Sequence, residues 1–103
     1  MTYSSALIAL SDPTRRAVFE RLRAGPASVQ KIADGLPVSR PAVSQHLKAL
    51  KEAGLVRDEP HGTARIYSIH TPGLKTLRDY LDSFWDEALW SFKDYAENEE
   101  NEK

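Results

Sequence analysis

Cysteine is absent from the 103 residues, which excludes disulfides, thiolate metal ligands and thiol redox sensing together. Glycine is scarce as well, with five scattered at turn positions, so no phosphate-cradling glycine loop can be built. No uninterrupted apolar run approaches the roughly 20 residues that a membrane span requires. The N-terminus lacks the basic, apolar and small-residue succession of a secretory signal. The last two absences predict a soluble, cytoplasmic chain with no membrane contact, whereas the lack of cysteine says little about compartment. No Ser/His/Asp set and no paired buried carboxylates can be argued, so neither an enzyme nor a cofactor is expected.

What is present fits one domain, residues 1–103, near the size at which burial begins to offset chain entropy and a partner subunit adds useful burial. The net charge of −1 hides a division at residue 70. Residues 1–70 hold ten Lys/Arg against six Asp/Glu, a balance of +4, whereas 71–103 hold four against nine, a balance of −5. Phosphate affinity depends on local positive charge, so a basic front with an acidic back remains compatible with nucleic-acid binding.

Residues 38–56, VSRPAVSQHLKALKEAGLV, carry the most information. Ser39 is suited to N-cap a helix, Pro41 is tolerated in its first turn, and Gly54 suits a left-handed stop. Successive steps of about 100° place Val43, Leu47 and Leu50 on one stripe, and Pro41, Ser44, Gln45, Lys48 and Glu52 opposite. The first stripe packs; the second is either solvated or reads DNA. Upstream, Ser28 caps a short helix carrying Val29, Ile32 and Ala33 that ends at Gly35, which makes a helix-turn-helix with the next one. Downstream, Leu55–Glu59 and Ala64–His70 are strand candidates around the turn-forming Pro60-His61-Gly62-Thr63. A hairpin directly after a recognition helix is a wing, and Arg57, His61 and Arg65 are placed to meet phosphates. Asp12-Pro13 starts a scaffold helix packed through Val18, Phe19 and Leu22, with Arg15 and Arg16 as secondary phosphate candidates.

Both ends of the chain are apolar helices in pattern. Tyr3, Ala6, Leu7 and Leu10 recur at helical spacing in a segment (1–10) too short to be stable alone. A last helix over 72–96 carries Leu74, Leu77, Leu81, Phe84, Ala88, Phe92 and Tyr95 in a near-heptad stripe that Trp85 and Leu89 widen. This exceeds what one small core needs and predicts a dimer interface. Its expected members are Tyr3, Leu7, Leu10, Leu77, Leu81, Phe84, Trp85, Ala88, Leu89 and Phe92. Residues 97–103 read as a frayed acidic tail.

LSDPTRRAVFERL at 10–22, the SxxxxSQHLKALKEAGLV pattern read over Ser39–Val56, and GTARIYSI at 62–69 together resemble the ArsR/SmtB family of bacterial winged-helix repressors, with order and spacing agreeing across residues 10–70. The resemblance implies homodimers on double-stranded operator DNA, repressing nearby genes until an inducer, of unknown identity here, weakens binding. The expected fold is mainly α with a small β-hairpin (α+β): a winged helix-turn-helix of about five helices and a two-stranded wing, dimeric through its first and last helices. The DNA-binding core spans 12–70, with the wing at 55–70.

Within it, Ser44 and Gln45 are the base-contacting candidates, the Gln45 amide matching adenine. Arg40, Lys48 and Lys51 position the helix on phosphates; Ser39, Pro41, Gly62 and Thr63 complete the DNA-facing set with Arg57, His61 and Arg65. His46 stays open between packing and DNA contact: it lies beside the apolar stripe, yet belongs to the SQHL run that matches the family. Metal-sensing relatives use thiolates before the turn or His and carboxylates along the last helix. Here SVQKIADGL has no Cys, and Asp79, Asp82 and Asp86 have no His beside them in the helix, so no metal site is expected. A metal-responsive repressor with carboxylate and His ligands, and a winged-helix module that contacts only proteins, are the alternatives.

Overall fold

The computed structural model describes residues 2–101, with side chains over 2–99. The elements in order are α1 (Tyr3–Ser11), α2 (Pro13–Glu20), β1 (Ala27–Ser28), α3 (Val29–Asp34), α4 (Arg40–Glu52), β2 (Val56–His61), β3 (Ala64–Ile69) and α5 (Thr71–Asn101). A turn of 3₁₀ helix, Arg21–Ala24, prolongs α2.

Each of the first four helices starts on a side-chain cap that satisfies an otherwise orphaned N–H. Thr2 accepts from Ser5, Asp12 from Arg15, Ser28 from Lys31 and Ser39 from Ala42. Pro13 and Pro41 occupy first-turn positions where no intrahelical bond is lost. The helices close on a core in which Val18, Leu22, Ile32, Val43, Leu47, Leu50 and Leu55 are at most 2% exposed. Val29, Ala33 and Phe19 pack around it, partly buried.

The end of α4 shows how the chain turns toward the wing. The Leu55 N–H donates to the Leu50 carbonyl at 2.9 Å and the Gly54 N–H to that of Lys51 at 3.0 Å, with Gly54 at φ 81°. This is the paired-bond stop that a left-handed glycine permits. Gly54 also receives α5: a Cβ built on Gly73 would land on the Gly54 carbonyl oxygen. Backbone meets backbone there, so Gly73→Ala should displace the start of α5 and lower stability by about 1–3 kcal/mol. Thermal denaturation measures it, and an unchanged melting temperature would refute this contact.

Three local expectations are corrected. The wing belongs to a three-stranded antiparallel sheet in the order β1-β3-β2, with Ala27 opposite Tyr67 and Ser28 opposite Ile66. A two-residue strand is too short to show periodicity. The expected four-residue tip is a two-residue turn, Gly62-Thr63, because His61 pairs with Ala64 and Pro60 with Arg65. Proline is tolerated because β2 lies at the sheet edge; Gly62, at φ 65° in the first central position, fits a II′-type turn. Finally, α5 does not end at 96. It continues through Asn101, so the frayed reading fails for 97–101, while Glu102 and Lys103 lie outside the described residues. Asn98 donates to Asp94 one turn back, at 3.4 Å.

At 1.5 Å per residue, α5 is about 46 Å long. Its start rests on the domain and its remainder projects away, giving principal extents of 70 × 26 × 22 Å. Among the described residues, no helix is long and apolar enough to cross a membrane.

Candidate nucleic-acid interface

Helix α4 has an inner and an outer face. Val43, Leu47 and Leu50 have no solvent exposure, while Ser39, Arg40, Pro41, Ser44, Gln45, Lys48 and Lys51 are exposed. The Ser39 hydroxyl accepts the Ala42 N–H at 3.3 Å and its carbonyl accepts that of Val43 at 3.0 Å. The helix start is therefore held from within the chain, leaving the Ser44, Gln45 and Lys48 side chains projecting from a fixed support.

His46 is half-buried and turned toward the start of α2, in a depression it shares with Arg15, Gln45, Lys48, Ala49 and Glu52. Asp12 lies nearby. The Arg15 N–H, donating to it at 2.9 Å, holds its carboxyl below the usual carboxylate range; burial opposes this, and the proximity of His46 and of the Arg15 charge supports it. Among the described residues, the buried Nε of Arg15 has no hydrogen-bond partner. His46 thus lies on the side of α4 that faces α2.

In the wing, directly opposed residues share a face, which separates two arginines expected to act together. Arg65 is opposite Pro60 and so shares the inner face with Val56 and Asp58, whereas Arg57 and Glu59 lie on the other. Arg57 pairs with Glu59 at 3.0 Å. Asp58, its side chain only 8% exposed, takes Lys51 Nζ at 2.8 Å on one oxygen and Arg65 Nη1 at 2.9 Å on the other. The bond from Lys51 is the main reason that its carboxyl is held below the usual range; burial opposes this, and the Arg65 charge supports it. Lys51, Arg57 and Arg65 therefore already have carboxylate partners. Among the described residues, Arg40 and Lys48 have none within 4.0 Å. His61, Gly62, Thr63 and Arg65 are all exposed at or beside the tip.

Asp58 and Glu59 were missed as organisers of these cations. Their signal was the alternation of the hairpin, which puts 57 with 59 and 58 with Arg65; nothing local signals that Lys51 reaches Asp58 from α4.

The apolar ends of the chain also divide. Tyr3 stacks on Tyr80 with ring centroids 3.9 Å apart, and Phe84 meets Tyr80 edge-on at 5.0 Å, fixing α1 against α5. Ala6 and Ala9 are buried, their small side chains letting α1 approach closely. Leu77 is buried in its own domain and Leu10 partly so, because the first turns of α5 still overlie the core. Those two residues serve that core. Tyr3, Leu7, Leu81, Phe84, Trp85, Ala88, Leu89 and Phe92 are all exposed, as are three large residues outside the expected set, Ile8, Trp90 and Tyr95.

Along α5, Lys75 pairs with Asp79 at 2.7 Å and Arg78 with Asp82 at 3.5 Å. These carboxylates form a ladder with cations one turn earlier. Among the described residues, no three His, Asp or Glu side chains are grouped closely enough to hold a metal ion.

A short capped helix, a tight turn, a second capped helix with an open polar face and a following hairpin define a winged helix-turn-helix protein. A family model for a helix-turn-helix domain matches residues 10–59. The HTH-type transcriptional regulator Rv2034 of Mycobacterium tuberculosis is 54% identical over 91 residues, covering 88% of this chain and 85% of that protein. A solved ArsR-like transcriptional regulator from Rhodococcus sp. RHA1 superposes with a TM-score of 0.71 at 35% identity, over 91% of this chain and 92% of that one. The homodimeric winged helix-turn-helix DNA-binding domain of Mb0332 from Mycobacterium bovis superposes at 0.66 with 27% identity, over 82% of this chain and 78% of that one. The chain belongs to the ArsR/SmtB family of winged helix-turn-helix transcriptional regulators.

Proposed function

We propose that this protein is a sequence-specific repressor that binds a near-palindromic operator as a homodimer, in the cytoplasm and without catalytic chemistry. One observation carries the reading. The outer face of α4 presents Ser44, Gln45 and Lys48 to solvent from a helix whose inner stripe has zero exposure. Two such helices related by a two-fold axis enter successive major grooves with half-site centres about 34 Å apart. Ser44 and Gln45 read bases, and Arg40 and Lys48, which have no carboxylate within 4.0 Å among the described residues, meet phosphates. Ser39 and Pro41 form the helix start from which they act. His46 is a packing and positioning residue against α2, in keeping with its half-burial. The wing tip, His61 to Thr63, lies along the neighbouring backbone.

The dimer is supported by the exposed aromatic and aliphatic face of α1 and α5, since monomers rarely present so continuous an apolar surface, and by the homodimeric M. bovis relative. Repression follows from the family resemblance: a dimer seated across two grooves occludes the DNA it covers.

Selection of bound sequences from a random duplex pool tests the reading directly; absence of any retained duplex at low salt would overturn it. On the selected site, Gln45→Ala should flatten preference among operator variants by about 1–3 kcal/mol at one position per half-site. Lys48→Ala should weaken all sequences alike and lower the salt slope by about 1 per subunit. Identical operator profiles for the wild type and Gln45→Ala would remove Gln45 from the reading face.

A further inference from the structure

We propose that Asp58 is a positioning residue for specificity, holding Lys51 and Arg65 away from indiscriminate phosphate contact while tying the wing to the recognition helix. The inference rests on the DNA-binding reading above.

The three groups come from three elements: the last turn of α4, the middle of β2 and the start of β3. The carboxylate is nearly enclosed, its side chain 8% exposed, whereas the Lys51 and Arg65 side chains are 55% and 57% exposed. Each oxygen takes one cation, at 2.8 and 2.9 Å. The two cations therefore cover the carboxylate while more than half of each of their own side chains stays in solvent.

An ion pair exposed on both sides is worth little and opens readily for a phosphate. This arrangement differs, because one largely covered carboxylate holds two cations at once, so that freeing one leaves the other still in place. The cations stay where Asp58 holds them. The cluster then offers DNA a net charge of +1 instead of +2, at a fixed position between helix and wing. Unrestrained lysine and arginine attract every sequence equally, each phosphate neutralised adding about 0.9 to the slope of log affinity against log salt. Restraining them lowers the affinity common to all duplexes and leaves the Gln45 face untouched. The Arg57–Glu59 pair, on the opposite face of the hairpin, plays no part in this restraint.

The full chain is titrated by fluorescence anisotropy against its selected operator and against a scrambled duplex over a salt series. Asp58→Asn should raise affinity for the scrambled duplex about 3–10-fold at low salt, steepen its salt slope by about 1 per subunit, and reduce the operator-to-scrambled ratio. Adding Lys51→Gln and Arg65→Gln to that variant should abolish the gain. An unchanged scrambled affinity and slope for Asp58→Asn would overturn the inference, as would a gain that survives removal of both cations. A measurement needing no substitution keeps the test independent of folding: in the wild type, the Arg65 side-chain N–H resonance should hold its position when scrambled duplex is added, while that of Arg40 moves. Equal movement of the two would also overturn the proposal. If the wild type bound neither duplex, the DNA-binding reading would fall and this inference with it; wild-type binding with an inert Asp58→Asn removes the inference alone.

Discussion

Glutamate at both Leu81 and Leu89 is expected to yield a folded monomer with operator affinity reduced by at least about 100-fold. Both leucines lie on the projecting part of α5, 53% and 51% exposed, so neither supports the core of its own domain. Their exchange should leave the helical circular dichroism of the domain intact. In a dimer they would face a second copy, where four introduced carboxylates meet without partners and the desolvation cost opposes association. Two linked recognition helices gain about 10²–10⁴-fold in avidity over one, because the second half-site is engaged at high effective concentration. That gain disappears with the dimer. Sedimentation gives the mass and anisotropy the affinity, and a variant that stays dimeric at micromolar concentration would reassign the interface.

Leu47→Ala should remove about 2–5 kcal/mol of folding stability. Leu47 has zero exposure and sits on the inner stripe of α4, between the scaffold helices and the solvent-exposed outer face. Truncation leaves a cavity that close-packed neighbours fill only in part. A domain of this size has about 5–15 kcal/mol in total, so the loss is a large fraction and the melting temperature should fall by roughly 10 °C or more. Ser44→Ala, one turn away on the outer face, should change stability by no more than about 0.5 kcal/mol. Denaturant titration at a fixed protein concentration separates the two, since association contributes to apparent stability. A loss below about 1 kcal/mol for Leu47→Ala would move the centre of the core elsewhere.

Acid connects these effects to the wing. Asp58 has its folded-state pKa lowered, so its contribution is complete above the ordinary carboxylate range and is lost as pH falls through the lowered value. Unfolding followed below pH 4 should therefore show a steeper loss of stability in the wild type than in Asp58→Asn. Matching profiles would mean that the Lys51 and Arg65 bonds add nothing to folding.

Much of the DNA-binding core was legible because its signals are local. A cap joins residues three apart, so Asp12, Ser28 and Ser39 could be assigned from spacing alone, and each accepts the N–H that the spacing requires. The inner stripe of α4 followed from helical periodicity, and Gly54 from the left-handed stop it permits. The wing was less legible. A turn of four residues and one of two are both consistent with Pro60-His61-Gly62-Thr63, and the choice depends on the register of β2 against β3. Nor does periodicity reveal Ala27–Ser28 as a strand, because two residues have no period.

The amino-acid sequence by itself determined the class of fold, the two faces of α4 and the apolar character of both ends, since each depends on residues within one or two helical turns. Tertiary structure alone decided how those parts are used. It directed Leu77 and Leu10 to their own core while leaving Leu81 and Leu89 outside it, turned His46 toward α2, and set Lys51 and Arg65 on one carboxylate. The physical reason is common to all four: packing and ion pairing depend on which distant segments meet, and a side chain's own neighbours in the chain carry no record of that.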